Sequence, residues 1–256
     1  MNAADIISCL ANTAFYYGWC NMVHIACDVY ATRIFPSLKA SPQNIQRGVS
    51  NRGVAALHAL TMFAMTAYYW RFLNPTMTMS THISAYQGLC VDVMNGYMVY
   101  DTLNEVSTNM ETDVLVHHIM GLITHFLARY LDSGMTVYFF NLVYLAEAST
   151  PIVHASWFMY QLKLTDTVMF KMSVLALLVV FFVCRVCLCP YMDRVLYTSY
   201  FETDPVGVLW KGEEAIFWLN VVIMALFTAL NYFWFYKLVK TAMKAMKKGA
   251  KIIEAE

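Results

Sequence analysis

Three histidines occur within one apolar stretch of the sequence, "ETDVLVHHIMGLITHFLARY". His117 and His118 are adjacent, and His125 follows two turns later if the stretch is helical. An imidazole has a pKa near 6.5 and can act as a general base or as an acyl acceptor. A nearby carboxylate, from Asp101 or Asp113, would hold the ring in one tautomer. The sequence therefore makes His117, His118 and Asp101 candidate catalytic residues.

Helical geometry separates these histidines into two environments. His118 and His125 are seven residues apart and project within about 20° of each other. His117 points roughly a quarter turn away, and Asp113 lies one turn before it. Adjacent histidines diverge by about 100° and cannot readily share one ion, so we expect neither a metal nor a cofactor here. The alternative to catalysis is that the pair hydrogen-bonds acids on the preceding helix and stabilises the helix packing.

The composition indicates that these residues lie in a membrane protein. The chain has 256 residues, of which 59% are hydrophobic and 13% are charged, whereas soluble domains carry about 25% charged residues. A helix needs about 20 mostly apolar residues to span a bilayer. Seven stretches meet this requirement: 6–30, 54–72, 83–103, 114–130, 135–160, 168–188 and 215–238. The predicted fold is an all-α integral membrane bundle of about seven transmembrane helices. Residues 1–44 are expected to hold the first helix and a basic loop, residues 45–240 the remaining helices, and residues 241–256 a basic tail.

The fifth stretch is longer than a bilayer requires, and Pro151 offers a reason. Its ring removes the hydrogen bond to the carbonyl of Glu147, which predicts a kink in helix five. Glu147 would then be a carboxylate at a bend inside the membrane. Arg185, near the end of the sixth stretch, is the expected ion-pair partner of Glu147.

The basic residues predict how the bundle is oriented. Most lysines and arginines fall on the side that holds the loop at 31–53 and the C-terminal tail, so the positive-inside rule places the C-terminus in the cytosol or the mitochondrial matrix. No lysine or arginine precedes Arg33, which disfavours a cleaved signal peptide or a mitochondrial presequence. The tail continues a membrane helix, which favours contact with anionic lipid and not with nucleic acid.

Polar residues at membrane depth are the remaining site candidates, because an intramembrane charge persists only where it is paired or wetted. Asp92 and Asn95 share one face of helix three at i, i+3 spacing. Asp101 lies nine residues after Asp92 and projects to the opposite side, so the two acids do not form one carboxylate pair. Asp92 and Asn95 could either line a polar cavity or form hydrogen bonds between helices.

Five motifs follow one another in a characteristic order: "NRGVAALHAL", "GYMVYD", "HHIMGLITHF", "AEASTPIVHASWF" and "FFVCRVCLCPYM". Their order and spacing resemble the TLC (TRAM-LAG1-CLN8) domain family over roughly residues 45–240. The resemblance is greatest to the TLC-domain-containing branch, of the protein 4 type, outside the ceramide synthases. It implies a membrane bundle with an internal, lipid-accessible cavity, whose ligand is a phospholipid, a sphingolipid or a fatty acyl chain. The usual location of the family is the endoplasmic reticulum or another endomembrane, with the mitochondrial inner membrane as the alternative.

The resemblance also assigns the polar residues of that cavity. The positions that match the recurrent polar residues of the family are Arg52, His58, Asp101, His117, His118, Glu147 and Arg185. Asp92, Asn95 and His125 are added to this set because they are polar residues at membrane depth.

One departure from the family bears on activity. Ceramide synthases join an acyl-CoA to a sphingoid amine, and they carry a second acidic signature on the helix after the double histidine. This sequence has Glu147-Ala-Ser-Thr-Pro151 in that region, so we do not expect synthase activity. Three functions stay open: a lipid-binding or lipid-regulating protein with an acyl-chain cavity, an acyltransferase-like lipid enzyme that uses His117 or His118, and a lipid-holding accessory subunit of a larger membrane complex, such as a mitochondrial one.

Overall fold

The computed structural model describes residues 3–77, 79–80, 82–106, 112–201 and 214–253, and these residues form helices and connecting turns. The α-helices are α1 (Ala3–Ile34), α2 (Gln43–Tyr68), α3 (Ala85–Val106), α4 (Thr112–Leu131), α5 (Gly134–Val143), α6 (Thr150–Gln161), α7 (Val168–Phe181), α8 (Leu188–Phe201) and α9 (Glu214–Ile253). Short 3₁₀ turns occur at Pro36–Ala40 and Tyr144–Ser149, and π turns occur at Tyr69–Leu73 and Phe182–Cys187.

The 3₁₀ and π turns join some of these α-helices into longer continuous helical segments. The π turn at Phe182–Cys187 connects α7 to α8, and the 3₁₀ turn at Tyr144–Ser149 connects α5 to α6. The described residues thus form seven continuous helical segments, one for each apolar stretch of the sequence, which confirms the all-α fold. The 3₁₀ turn ends just before Pro151. The kink at Pro151 and the number of membrane crossings stay predictions.

Three segments of the described chain are long and apolar enough to cross a membrane. They are Thr112–Leu131, Val168–Phe201 and Glu214–Met243, with mean hydropathies of 1.3, 2.7 and 1.8. Their outer faces expose large aliphatic side chains: Val168 is 75% exposed and Val179 is 55% exposed. Contact between such apolar surfaces and lipid tails costs no free energy, whereas their exposure to water is unfavourable. The chain is therefore an integral membrane protein.

Two apolar cores hold the helices together. The first lies between α1, α2, α3 and α5 and contains Tyr16, Met62, Val91 and Tyr100. The second joins α5 to α8 and α9 and contains Phe139, Met192 and Phe217. Because α5 contributes to both cores, it links the two halves of the bundle.

Asp132 adopts the left-handed backbone conformation and fixes the turn between α4 and α5. Asp132 has φ of 54°, and the amide of Ser133 donates to the carbonyl of Ala128 at 3.1 Å. Asp132 also donates its amide to Arg129 at 3.4 Å, which completes a Schellman motif. The carboxylate of Asp132 accepts from the amide of Ile83 at 3.2 Å. This contact ties the end of α4 to the chain just before α3.

We predict that Gly96→Ala destabilises the protein by separating α1 from α3. A methyl group at Gly96 would lie 2.6 Å from the carbonyl oxygen of Thr13 and 2.9 Å from Cβ of Tyr16. Overpacking of this kind lowers the free energy of unfolding by about 1–3 kcal/mol. Thermal unfolding in detergent would show this loss as a lower Tm. The control is Gly18→Ala, because a methyl group there would have no described atom within 4 Å apart from its chain neighbours and its own helix backbone. Equal Tm values for the two variants would contradict this account of α1 packing.

Candidate functional site

A cavity of about 1080 Å³ lies between the two halves of the bundle. One end of it, which we call the mouth, is lined by Asp28, Arg47, Glu105, Val114 and Lys237. These residues lie near the end of α1, the start of α2, the end of α3, the start of α4 and the later half of α9. Antiparallel connections bring these helix ends to the same side of the bundle. The mouth therefore carries charges of both signs.

The other end of the cavity, which we call the floor, lies deep between the helices. It is lined by Met94, Gly121, His125, Val143 and Tyr144. His125 follows Val114 by eleven residues in α4, which corresponds to about 16 Å along a helix. Met94 precedes Glu105 by the same number of residues in α3. Two neighbouring helices thus give the same depth from mouth to floor.

His118 is paired with Asp101 in the wall of the cavity. Nε2 of His118 lies 3.3 Å from Oδ2 of Asp101, and the two side chains are 8% and 9% exposed. The other ring nitrogen, Nδ1, lies 3.2 Å from the hydroxyl of Thr102. Oδ1 of Asp101 accepts from the amide of Asn51 at 2.9 Å. If the neutral ring donates from Nε2 to the carboxylate, the hydroxyl of Thr102 donates to Nδ1, so both nitrogens are occupied.

His117 lies in a different, aromatic environment. Its ring centre is 5.5 Å from that of Trp234 and 6.4 Å from that of Phe227, both on α9. Asp113, which the sequence placed beside His117, instead accepts from Nε1 of Trp234 at 2.7 Å and lies 3.5 Å from Nζ of Lys237. The two adjacent histidines do occupy separate environments, but the acid partner belongs to His118.

Arg185 is the centre of a second polar network in the cavity wall. Its Nη2 lies 3.9 Å from Oε1 of Glu147, and its Nε donates to the hydroxyl of Ser149 at 2.8 Å. Nη2 also donates to Oγ1 of Thr150, which in turn donates to Glu147 at 2.8 Å. Nη1 donates to Oδ1 of Asn231 at 3.3 Å. The network joins the 3₁₀ turn before α6 to the π turn before α8 and to α9.

Three further residues of the cavity wall could have been identified from their helical spacing relative to Glu147. Thr150, His154 and Trp157 follow Glu147 at intervals of three or four residues, which places all four on one face of a helix. The guanidinium of Arg52 lies 4.0 Å from the ring centre of Trp157. Each of these five residues lines the cavity.

Asp92 belongs to a separate cluster outside the described cavity lining. Its side chain is 0% exposed, and Oδ1 accepts from Nε of Arg129 at 3.1 Å. Oδ2 accepts from the amide of Asn12 on α1 at 3.0 Å. The guanidinium of Arg129 passes over Gly88, where a methyl group would lie 3.1 Å from its Cζ. Absence of a side chain at Gly88 thus leaves room for Arg129 to reach Asp92.

His58 and Asn95 also lie outside the described lining of the cavity. The ring of His58 stacks on Tyr97 with centres 3.8 Å apart, and its Nδ1 is 3.4 Å from the hydroxyl of Tyr16. Asn95 is fully buried, and its amide atoms have no hydrogen-bond partner among the described residues. Of the predicted site residues, the structure therefore brings seven to the cavity: Arg52, Asp101, His117, His118, His125, Glu147 and Arg185.

Comparisons with known proteins identify relatives of this chain. A family model described as the TLC domain (TRAM_LAG1_CLN8) matches residues 48–240. TLC domain-containing protein 4 of Xenopus tropicalis is 27% identical over 162 residues, which cover 61% of this chain and 60% of that protein. TLC domain-containing protein 4 A of Dictyostelium discoideum is 20% identical over 207 residues, or 78% of this chain and 76% of that protein. The match to the Xenopus protein spans less than two thirds of its length.

We predict that Asp92→Ala strongly destabilises the fold, because it removes the buried carboxylate that pairs with the guanidinium of Arg129. Removal of one partner of a buried ion pair costs about 3–5 kcal/mol. His82→Ala is the matched control, since His82 pairs with Asp132 but its side chain is 82% exposed, and exposed pairs contribute about 0–1 kcal/mol. Thermal unfolding of the two variants in detergent measures the difference. A loss for Asp92→Ala no larger than that for His82→Ala would show that the buried pair contributes little.

Proposed function

The chain belongs to the TLC domain family, and we propose that it is a membrane-embedded lipid-binding or lipid-regulating protein whose cavity holds an acyl chain. The observation that carries this proposal is the cavity of about 1080 Å³ with a charged mouth and a floor about 16 Å deeper. Ligand pockets commonly occupy about 300–1,000 Å³. The volume is therefore sufficient for a large ligand such as a lipid.

The distribution of residue types in the lining supports an amphiphilic ligand. Aliphatic and aromatic side chains, such as Met94, Leu177 and Phe181, line the deeper part, and they favour hydrocarbon. Arg47 and Lys237 line the mouth, and cations of this kind bind the phosphate or carboxylate of a headgroup. The proposed ligand class comprises phospholipids, sphingolipids and fatty acids.

We further propose that all seven helical segments cross the bilayer and that the fifth bends at Pro151. The mouth would then face the cytosol, or the matrix in a mitochondrial inner membrane, because the basic residues favour that side. An endomembrane such as the endoplasmic reticulum is the proposed location, with the mitochondrial inner membrane as the alternative. A ligand could enter the mouth from the adjacent leaflet.

The test of lipid binding is a variant that fills the cavity. Val153 lines it, and Val153→Trp places an indole where the acyl chain would lie. We expect native mass spectrometry of the purified protein to show that most of the co-purified lipid is lost. Val179→Trp is the control, because Val179 is 55% exposed on the outer face of α7. The proposal fails if both variants keep the same lipid at the same occupancy while both remain folded.

The pairing of His118 with Asp101 supports a second candidate, an acyltransferase-like lipid enzyme. A carboxylate at 3.3 Å stabilises an imidazolium, as a general base requires when it removes a proton from a hydroxyl or amine. Against this role, Thr102 occupies the second ring nitrogen, so that bond would have to break for the ring to reach a substrate. Lipid binding is therefore the better supported function.

The two candidates predict different results for the double variant His117→Ala/His118→Ala. A binding protein retains the same unmodified lipid, measured by native mass spectrometry with lipid identification, although with reduced occupancy. An enzyme instead accumulates an unreacted lipid that the unaltered protein does not carry. Identical lipids in both proteins would exclude the acyltransferase candidate.

A further inference from the structure

Two buried polar atoms at the floor of the cavity have no hydrogen-bond partner in the described part of the chain. They are Nε2 of His125 and the hydroxyl of Tyr144, and these side chains are 7% and 1% exposed. Their rings lie nearly parallel, with centres 5.7 Å apart. Both residues line the cavity. A buried polar atom without a partner is costly, so a polar group that reached these two atoms would stabilise the floor.

The surrounding structure determines what each of the two atoms offers. Nδ1 of His125 lies 2.6 Å from the carbonyl oxygen of Gly121, and a carbonyl can only accept, so Nδ1 donates. The other nitrogen of the neutral ring, Nε2, is therefore an acceptor. Stacking on Phe140 at 4.1 Å keeps the ring in this orientation. The phenol of Tyr144 supplies an O–H donor. The floor thus presents one acceptor and one donor on two neighbouring rings.

A hydroxyl group is complementary to this pair. It can donate its proton to Nε2 of His125 and accept one from the phenol of Tyr144. A ketone or an ester carbonyl can only accept, so it would leave Nε2 unpaired. The methyl end of an ordinary acyl chain would leave both atoms unpaired, which is unfavourable for two buried polar groups.

We infer that the floor is a subsite for a hydroxyl group carried on the acyl chain of the bound lipid, far from its headgroup. The separation of mouth and floor, about 16 Å along α3 and α4, sets the distance between that hydroxyl and the polar end of the lipid. A hydroxyl next to the headgroup would stay near the mouth and would not reach His125. This inference rests on the proposed function, because it requires a lipid in the cavity.

The test compares three fatty acids for binding to the full-length protein in detergent: stearic acid, 2-hydroxystearic acid and 12-hydroxystearic acid. We expect 12-hydroxystearic acid to bind about tenfold more tightly than stearic acid, since it gains two buried hydrogen bonds. The 2-hydroxy isomer should show no such gain. In Tyr144→Phe, and in His125→Phe as a second variant, the ratio between 12-hydroxystearic and stearic acid should fall towards one.

Tyr100→Phe is the matched control for loss of a buried phenol. The hydroxyl of Tyr100 is 2.5 Å from Nδ1 of His24, and Tyr100 is not among the described residues of the lining. This variant should lose stability and keep the preference for the 12-hydroxy acid. Tyr144→Phe removes an unpaired hydroxyl, so its Tm should not fall.

The outcomes separate this inference from the proposed function. Equal binding of the three fatty acids, or a preference that persists in Tyr144→Phe, would overturn the hydroxyl subsite and leave lipid binding intact. Water would then be the partner of the two floor atoms. If none of the three fatty acids binds, the subsite and the proposed binding of free fatty acids both fail, and co-purified lipid in native mass spectrometry decides whether the cavity binds lipids of other classes.

Discussion

The arrangement of this bundle depends on two contacts that pair buried acidic side chains of α3 with side chains of α4. Asp101, near the end of α3, pairs with His118 near the start of α4. Asp92, nine residues earlier, pairs with Arg129 near the end of α4. The two contacts hold the helices antiparallel and in one register, because a shift by a turn would separate both pairs at once. A buried charge that loses its partner is costly because no water replaces that partner, so both contacts constrain the fold.

The cavity follows from this constraint. With α4 fixed against α3, the residues of α4 that lie on the adjacent face, Gly121 and His125, cannot also pack closely against α6. The network around Arg185 holds α6, the π turn and α9 together on the far side. The two walls are therefore held by separate polar contacts, and the cavity lies between them. A core closed by apolar packing alone would have no comparable reason to stay open.

Sequence periodicity predicted the helical segments and the separate environments of His117 and His118, and the need to pair buried charges predicted the proximity of Glu147 to Arg185. It could not determine which neighbour each polar face meets, since periodicity describes direction around one helix only. Asp113 contacts Trp234, which follows it by 121 residues. Arg129 lies near a helix end in the sequence, yet it reaches the buried Asp92 because Gly88 has no side chain to block it. Depth alone therefore assigned Asp92 and Asn95 to the cavity, and the family resemblance assigned His58, whereas the structure places all three outside the described lining.

The histidines illustrate how occupancy of the ring nitrogens distinguishes structural from binding roles. His118 uses both nitrogens, one on Asp101 and one on Thr102, so its contacts mainly stabilise the contact between α3 and α4. His125 uses Nδ1 on a backbone carbonyl, and its Nε2 has no hydrogen-bond partner among the described residues. The adjacent pair attracts attention in the sequence, but the third histidine has the vacant acceptor in a cavity. Because a buried acceptor without a donor is unfavourable, recognition of a ligand is more readily assigned to His125 than to His118.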